Sequence, residues 1–209
     1  MTESFSSPFS RRSTITGAGA LLLAGCSVLK GPPIPQLYVL RPQIPPSTGP
    51  QVSWRLSIAA PDAVASLDTP RIALTRSPTT MDYFANAAWT DRVPLLLQRQ
   101  LIQAFDASGR IVSVDRDTSG LEADYLLETE IRDFQARYDS PNGPPQIVIG
   151  IQAKLARMPQ RQIATNINVT QQVQATANNL DSIVAAFNQA VGAALGQIVT
   201  GTLTTQAPA

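Results

Sequence analysis

Apolar side chains recur at helical spacing in two stretches of this chain and alternate with polar ones in several others. Between positions 91 and 107, Val93, Leu97, Leu101 and Phe105 fall every four residues, and Leu96 and Ile102 widen the stripe. That period predicts a helix with one buried face. Thr90 or Asp91 can cap its start, Pro94 falls in the first turn, and Gly109 closes the end. Gln98, Arg99, Gln103 and Asp106 are the expected water-facing set. From about 180 to 200, Leu180, Val184, Phe187, Val191, Leu195 and Ile198 make a second stripe. Gly192 and Gly196 form a GxxxG spacing there, read as close packing of helix on sheet rather than as a membrane dimer motif.

The alternating runs read as strands. Trp54 to Ile58 is one, and 71–84 reads as a hairpin turning at Ser77-Pro78-Thr79-Thr80. A short turn or helix is expected from Asp62 to Ser66. Further strands are expected at 111–114, 124–134, 146–155 and 162–173, together as an antiparallel meander. In the 124–134 run Tyr125, Leu127, Thr129 and Ile131 share one face, with Glu128, Glu130 and Arg132 opposite. One side then packs and the other stays wet. Gln146 to Ile151 is apolar on both faces, which fits a central strand or a homo-oligomer interface. The fold class predicted is α+β: a mostly antiparallel sheet under two main helices, a two-layer sandwich.

The N-terminus has a different pattern. Arg11 and Arg12 precede residues 15–25, which are apolar for only 11 positions, while a bilayer crossing needs about 20. The run ends in Leu23-Ala24-Gly25-Cys26, the pattern of a bacterial lipobox. Residues 1–25 are therefore read as a lipoprotein signal peptide and Cys26 as the lipidated first residue of the mature chain. One acyl chain anchors only marginally, so stable attachment needs more. Lipobox cysteines resemble that solution, with a diacylglyceryl thioether and an N-acyl group of the palmitate kind. Ser10-Arg11-Arg12-Ser13 resembles a twin-arginine export signal, with an ordinary Sec signal as the alternative. Ser27 rather than Asp after the cysteine favours the outer membrane, periplasmic face, as the address. Residues 26–50 follow as a Pro-rich spacer, with seven prolines between 31 and 50 and a short edge strand at 37–40. The main domain is expected at 51–201, with a frayed tail at 202–209.

Composition narrows the chemistry. Removing residues 1–25 leaves 14 basic and 14 acidic side chains, which gives no electrostatic footprint for nucleic acid. The chain has no histidine, which excludes Ser-His-Asp and Cys-His catalysis and every His-ligated metal site. Cys26 is the only cysteine, and acylation removes its thiolate. No enzyme activity, metal or cofactor is expected. Asp115 with Asp117, and Glu128 with Glu130, are close carboxylate pairs that could hold a cation or work as acid and base; a solvated strand face is the simpler reading. Tyr83, Phe84 and Trp89 cluster before the first helix, either as core or as an apolar contact surface for acyl chains or a partner protein. Tyr38 lies in the edge strand, which either seals the sheet or accepts a partner strand.

The order of several features supports a resemblance. The lipobox, the Leu37-Tyr38-Val39-Leu40 run, Tyr83-Phe84-Ala85-Asn86-Ala87-Ala88-Trp89 leading through Pro94-Leu95-Leu96 into a helix, and Ala123-Asp124-Tyr125-Leu126-Leu127-Glu128 with Ile131-Arg132-Asp133-Phe134 together resemble the ABC-type transport auxiliary lipoproteins, the PqiC/YmbA-like family. The resemblance covers nearly all of 26–200 and implies a component of an MCE-type lipid transport system. Its partners would be an MCE-domain protein with an ABC permease and ATPase, and the phospholipid membrane reached through the anchor. It brings no catalytic residue with it. An adaptor between transporter and outer membrane is the first functional reading. A direct acyl-chain carrier and an envelope lipoprotein with a structural or assembly role are the alternatives. A continuous apolar cavity favours the carrier, and a packed interior favours the adaptor.

Overall fold

A computed structural model describes residues 34–205. The arginine pair, the apolar run, Leu23 to Cys26, the first prolines of the spacer and tail residues 206–209 lie outside them. Among the described residues, nine strands form one sheet: β1 Gln36–Tyr38, β2 Arg55–Ile58, β3 Asp62–Ala63, β4 Arg71–Ser77, β5 Thr80–Trp89, β6 Ser113–Arg116, β7 Tyr125–Arg137, β8 Gln146–Arg157 and β9 Gln162–Gln174. Helix α1, Val93–Ser108, follows β5, and α2, Leu180–Leu203, follows β9.

Strand β7 is the hub. One edge pairs with β8 along its whole length, from Tyr125 opposite Arg157 to Arg137 opposite Gln146. The other edge is taken in three instalments by β2 at Leu56–Ile58, β3 at Asp62–Ala63 and β4 from Ala73 to Thr75, all parallel to it. β6 adds to β2 and β1 to β5, again in parallel, while β4–β5 and β7–β8–β9 are antiparallel. The α+β class holds, but the sheet is mixed where a mostly antiparallel one was expected. Alternation within a strand specifies which face is buried; it does not encode the direction of the neighbour, and these parallel neighbours are joined by long crossovers.

The two helices lie together over one face of the sheet, α2 on β8 and β9 and α1 on β2 and β6. The space between is filled from one continuous core. Trp89 meets Phe187 edge to face at 5.2 Å, and Phe187 stacks on Phe134 at the same centroid distance. Trp54 meets Tyr125 edge to face at 4.9 Å. A register shift at Arg132 in β7 keeps this face apolar: Ile131 pairs with Ile151 before it, and Phe134 with Ile149 after it.

Several local expectations change. The Asp62–Ser66 segment begins with β3 and turns afterwards, with Leu67 N–H donating to Val64 O at 2.8 Å. The edge strand is Gln36–Tyr38, and Leu40 is buried in the core beyond it. Helix α1 is capped by neither Thr90 nor Asp91: Arg92 occupies the N-cap and makes no side-chain cap bond. Gln98 does not face water, being 5% exposed, and its Nε2 donates to Ile58 O at 3.0 Å. It satisfies a carbonyl where β2 leaves the sheet, a need that helical spacing alone does not reveal. Thr202 and Leu203 belong to α2 and are buried, so fraying does not begin at 202.

The largest departure concerns the Pro-rich segment. Residues 39–53 do not stand off as a spacer; they form a strap packed across both helices. Arg41 N–H donates to Asn188 Oδ1 of α2 at 2.7 Å, and Gln100 Nε2 of α1 donates to Leu40 O at 3.3 Å. A Cβ on Gly192 would lie 2.3 Å from Gln43 O, and one on Gly196 would lie 3.0 Å from Pro45 Cδ. The GxxxG face of α2 therefore seats the strap, not the sheet. Prolines supply rigid apolar rings here and have no backbone N–H to satisfy, which suits a segment with little regular pairing.

Candidate functional site

The residues singled out by sequence fall into different environments. Trp89 is 1% exposed and forms the centre of the aromatic core, so it is not available at the surface. Tyr83 and Phe84 precede it in β5 and are half-buried. Tyr83 hydroxyl donates to Ser66 O at 3.1 Å, and the Arg71 guanidinium carbon sits 3.7 Å above its ring. Phe84 leans on Tyr138 at 6.4 Å between ring centroids. Between them and Trp89 the strand bulges, and Asn86 takes φ 55°, a left-handed value that Asn tolerates better than most residues. Tyr83 and Phe84 thus stay at the surface while the residues beyond the bulge, Ala87 to Trp89, sink into the core.

Tyr38 lies in β1, opposite Trp89 in the parallel ladder. Burial raises its phenol above the ordinary range, and the carboxylate of Asp181 at the start of α2 adds to the effect. Leu37 beside it is 60% exposed and Val39 46%. β1 covers the edge of β5, and no strand among the described residues covers β1 itself. Leu37, Tyr38, Tyr83 and Phe84 thus belong to neighbouring strands at one end of the sheet, with Val39 just beyond β1.

The carboxylate pairs separate. Asp115 is in β6, but Asp117 starts a short 3-10 turn, Asp117–Ser119, so the two do not share a strand face. Glu128 and Glu130 do share one, on the side of β7 away from the helices. Glu128 accepts from Arg161 at 2.7 Å, and Glu130 pairs with Arg132 at 3.4 Å. Neutralised in this way, they form a solvated face, and no group of three or more metal-ligating side chains occurs among the described residues. Gln146 to Ile151 is the central strand of the β7–β8–β9 meander, with Ile147, Ile149 and Ile151 buried.

Two features were missed. The free edge of β9 runs 13 residues, Gln162–Gln174, with neither proline nor charge. Its polar amide and hydroxyl side chains looked like ordinary surface, and nothing in the run announces an edge. The second is Arg110, 5% exposed, just after α1. Its Nε donates to Pro50 O at 3.0 Å and its Nη1 to Ser47 Oγ at 2.6 Å, while its own carbonyl accepts from Val52 N–H at 2.7 Å. An isolated arginine beside a helix stop carries no sequence signal of burial.

Comparison with known proteins places this arrangement. The model of the family described as ABC-type transport auxiliary lipoprotein component matches residues 38–199. A crystal structure of a Xanthomonas campestris protein is 27% identical and superposes with a TM-score of 0.75, covering 80% of this chain and 94% of that one. A second crystal structure, of an uncharacterised protein, is 16% identical with a TM-score of 0.64 over 81% of this chain and 99% of that one, and shares the fold. An uncharacterised protein of Bradyrhizobium diazoefficiens is 31% identical over an alignment of 181 residues that covers 81% of this chain and 46% of that protein. The chain thus spans less than half the length of that curated relative.

Proposed function

Because the chain belongs to the ABC-type transport auxiliary lipoprotein components, we propose that it serves an MCE-type lipid transporter as a non-enzymatic adaptor. Lipid on Cys26 holds it to the periplasmic face of the outer membrane, and the folded domain engages the transporter's MCE-domain protein. That protein works with an inner-membrane permease and ATPase. The surface offered to the partner is the end of the sheet built from β1 and β5, with Tyr38, Tyr83 and Phe84 at its contact.

The observation that carries the adaptor reading is the filled interior. Trp89, Phe134 and Phe187 close the space between sheet and helices, and the core continues through Leu97, Leu101, Phe105 and Leu195. An acyl-chain carrier would keep a long apolar cavity there. Bridging also fits the buried carbonyl ties and the strap, which make a rigid body suited to docking.

The test is affinity purification from crosslinked, detergent-solubilised cells, with mass spectrometry of proteins and lipids. Recovery of an MCE protein with its permease and ATPase is expected, reduced when Tyr83 and Phe84 are replaced by Ser. Absence of all three proteins sinks the adaptor reading, and phospholipid at one per chain recovered without them favours the carrier. Cys26→Ser is expected to shift the chain from the membrane to the soluble envelope fraction.

A further inference from the structure

A cavity of about 560 Å3 opens between the strap and the C-terminal end of α2, lined in part by Gly49, Val52, Trp54, Arg110, Leu203 and Thr205. We propose that it binds the anionic headgroup, carboxylate or phosphate, of an amphiphilic lipid, with the Arg110 guanidinium as the anion's partner. This does not rest on the bridging reading.

The first support is an unbalanced charge. Arg110 is 5% exposed, and no carboxylate among the described residues forms an ion pair with it. The ion pairs formed among the described residues all lie at the surface instead. A buried cation without a counter-ion is costly, and neutral acceptors repay only part of that cost. The carbonyl end of α1, next to it in sequence, offsets a further part through the helix dipole and supplies no anion.

The second is the direction of the unused donors. Guanidinium has five N–H groups in a planar fork. Nε and Nη1 are engaged by the strap, and Nη2 has no hydrogen-bond partner among the described residues. A Cβ on Gly49 would lie 2.7 Å from Nη2 and cover it. Gly49 has φ +133°, a conformation in which an L side chain is strained, so the chain keeps a glycine where a side chain would shut the fork off from the cavity.

The third is independent of Arg110. Trp54 lines the same cavity and is 1% exposed, so its ring is a fixed wall of the site. A cation fork and apolar walls from Val52, Trp54 and Leu203 suit a polar head on an apolar stem. The volume lies within the roughly 300–1,000 Å3 of ordinary ligand pockets.

The test uses the full chain carrying Trp89→Phe, which leaves Trp54 as the one tryptophan. The probe is 9,10-dibromostearate below its micelle concentration, since bromine quenches indole only at close range. Unbrominated stearate is the control for partition. Saturable quenching of Trp54 is expected, weakened at least roughly tenfold by Arg110→Gln. That variant also loosens the strap, so Thr205→Phe is the second: it fills the cavity from the helix end, leaves the Arg110 hydrogen bonds in place, and is expected to abolish quenching without lowering Tm. A phosphatidate with brominated chains in mixed micelles, compared with the fatty acid, tells a phosphate head from a carboxylate one. Absence of quenching by both probes overturns the proposal. So does equal quenching by the brominated methyl ester, which has no anion, or quenching that survives both substitutions.

Discussion

At Gly192 and Gly201, the same substitution in the same helix should have opposite signs. Alanine in place of a helical glycine gains about 1 kcal/mol of intrinsic helix preference. At Gly192 the new methyl meets a backbone oxygen of the strap at 2.3 Å, and backbone held by both helices does not move cheaply. Overpacking of this kind costs about 1–3 kcal/mol, so Gly192→Ala is expected to lose roughly 1 kcal/mol net. At Gly201 the contact is Ile167 Cδ1 at 2.9 Å, the free end of a half-buried side chain that can rotate aside. Gly201→Ala is expected to fall within about 0.5 kcal/mol of the parent or to gain. Urea denaturation of both variants checks the pair, and equal losses would show that the strap does not press on α2. Tyrosine gives a second prediction at this scale. Burial raises the phenols of Tyr38 and Tyr138 above 10.0, and Tyr138 also donates to Asn178 Oδ1 at 2.8 Å. The folded state then holds the phenolic proton more tightly than the unfolded chain. Stability from these groups is complete below pH 10.0 and falls as pH rises through the higher folded values. Tyr138→Phe is expected to flatten the alkaline arm of a stability–pH curve, and an unchanged arm would refute it.

Elements with a local cause were legible in the sequence, and those with a distant cause were not. Both helices follow from the spacing of their apolar residues and end within a few positions of expectation. The hairpin of β4 and β5 follows from Ser77-Pro78-Thr79-Thr80, although β5 runs on to Trp89. By contrast, the parallel neighbours of β7 come from segments more than 60 residues away, and their direction leaves no mark in the strand itself. The strap was hidden for a related reason: seven prolines imply an extended chain but not what it lies upon. The cavity at Arg110 was illegible because it exists only once that strap is seated. The start of α2 gives this scale its prediction. Asn179 Oδ1 accepts from Ser182 N–H at 2.9 Å, whereas α1 has no side-chain cap at all. Asn179→Ala is expected to cost about 1 kcal/mol in chemical denaturation. A comparable loss on replacing Arg92 would be unexpected for a cap, since Arg92 acts through its ion pair with Asp68.

At the scale of the whole fold, the described residues leave the sheet a long open border. Natural sheets usually blunt such borders with lysine, proline or bulges, and β9 has 13 residues with no charge or proline. It should be the first place where partly unfolded chains stick. Thr170→Lys, on the solvent face beside Gly150 and in line with Asp133, is expected to lower turbidity in a heating ramp while leaving Tm within about 1 °C. Unchanged turbidity would place the sticky surface elsewhere. The strap sets another property of the whole. Residues 39–53 are committed to the helices and 36–38 to the sheet, so between the proposed anchor and the fold only the nine residues from Ser27 to Pro35 remain. A chain of that length spans at most about 30 Å. Under the proposed anchoring of Cys26 in the outer membrane, the lipid would be a short leash, and a partner rooted in the opposite membrane would have to cover most of the gap itself to reach this domain.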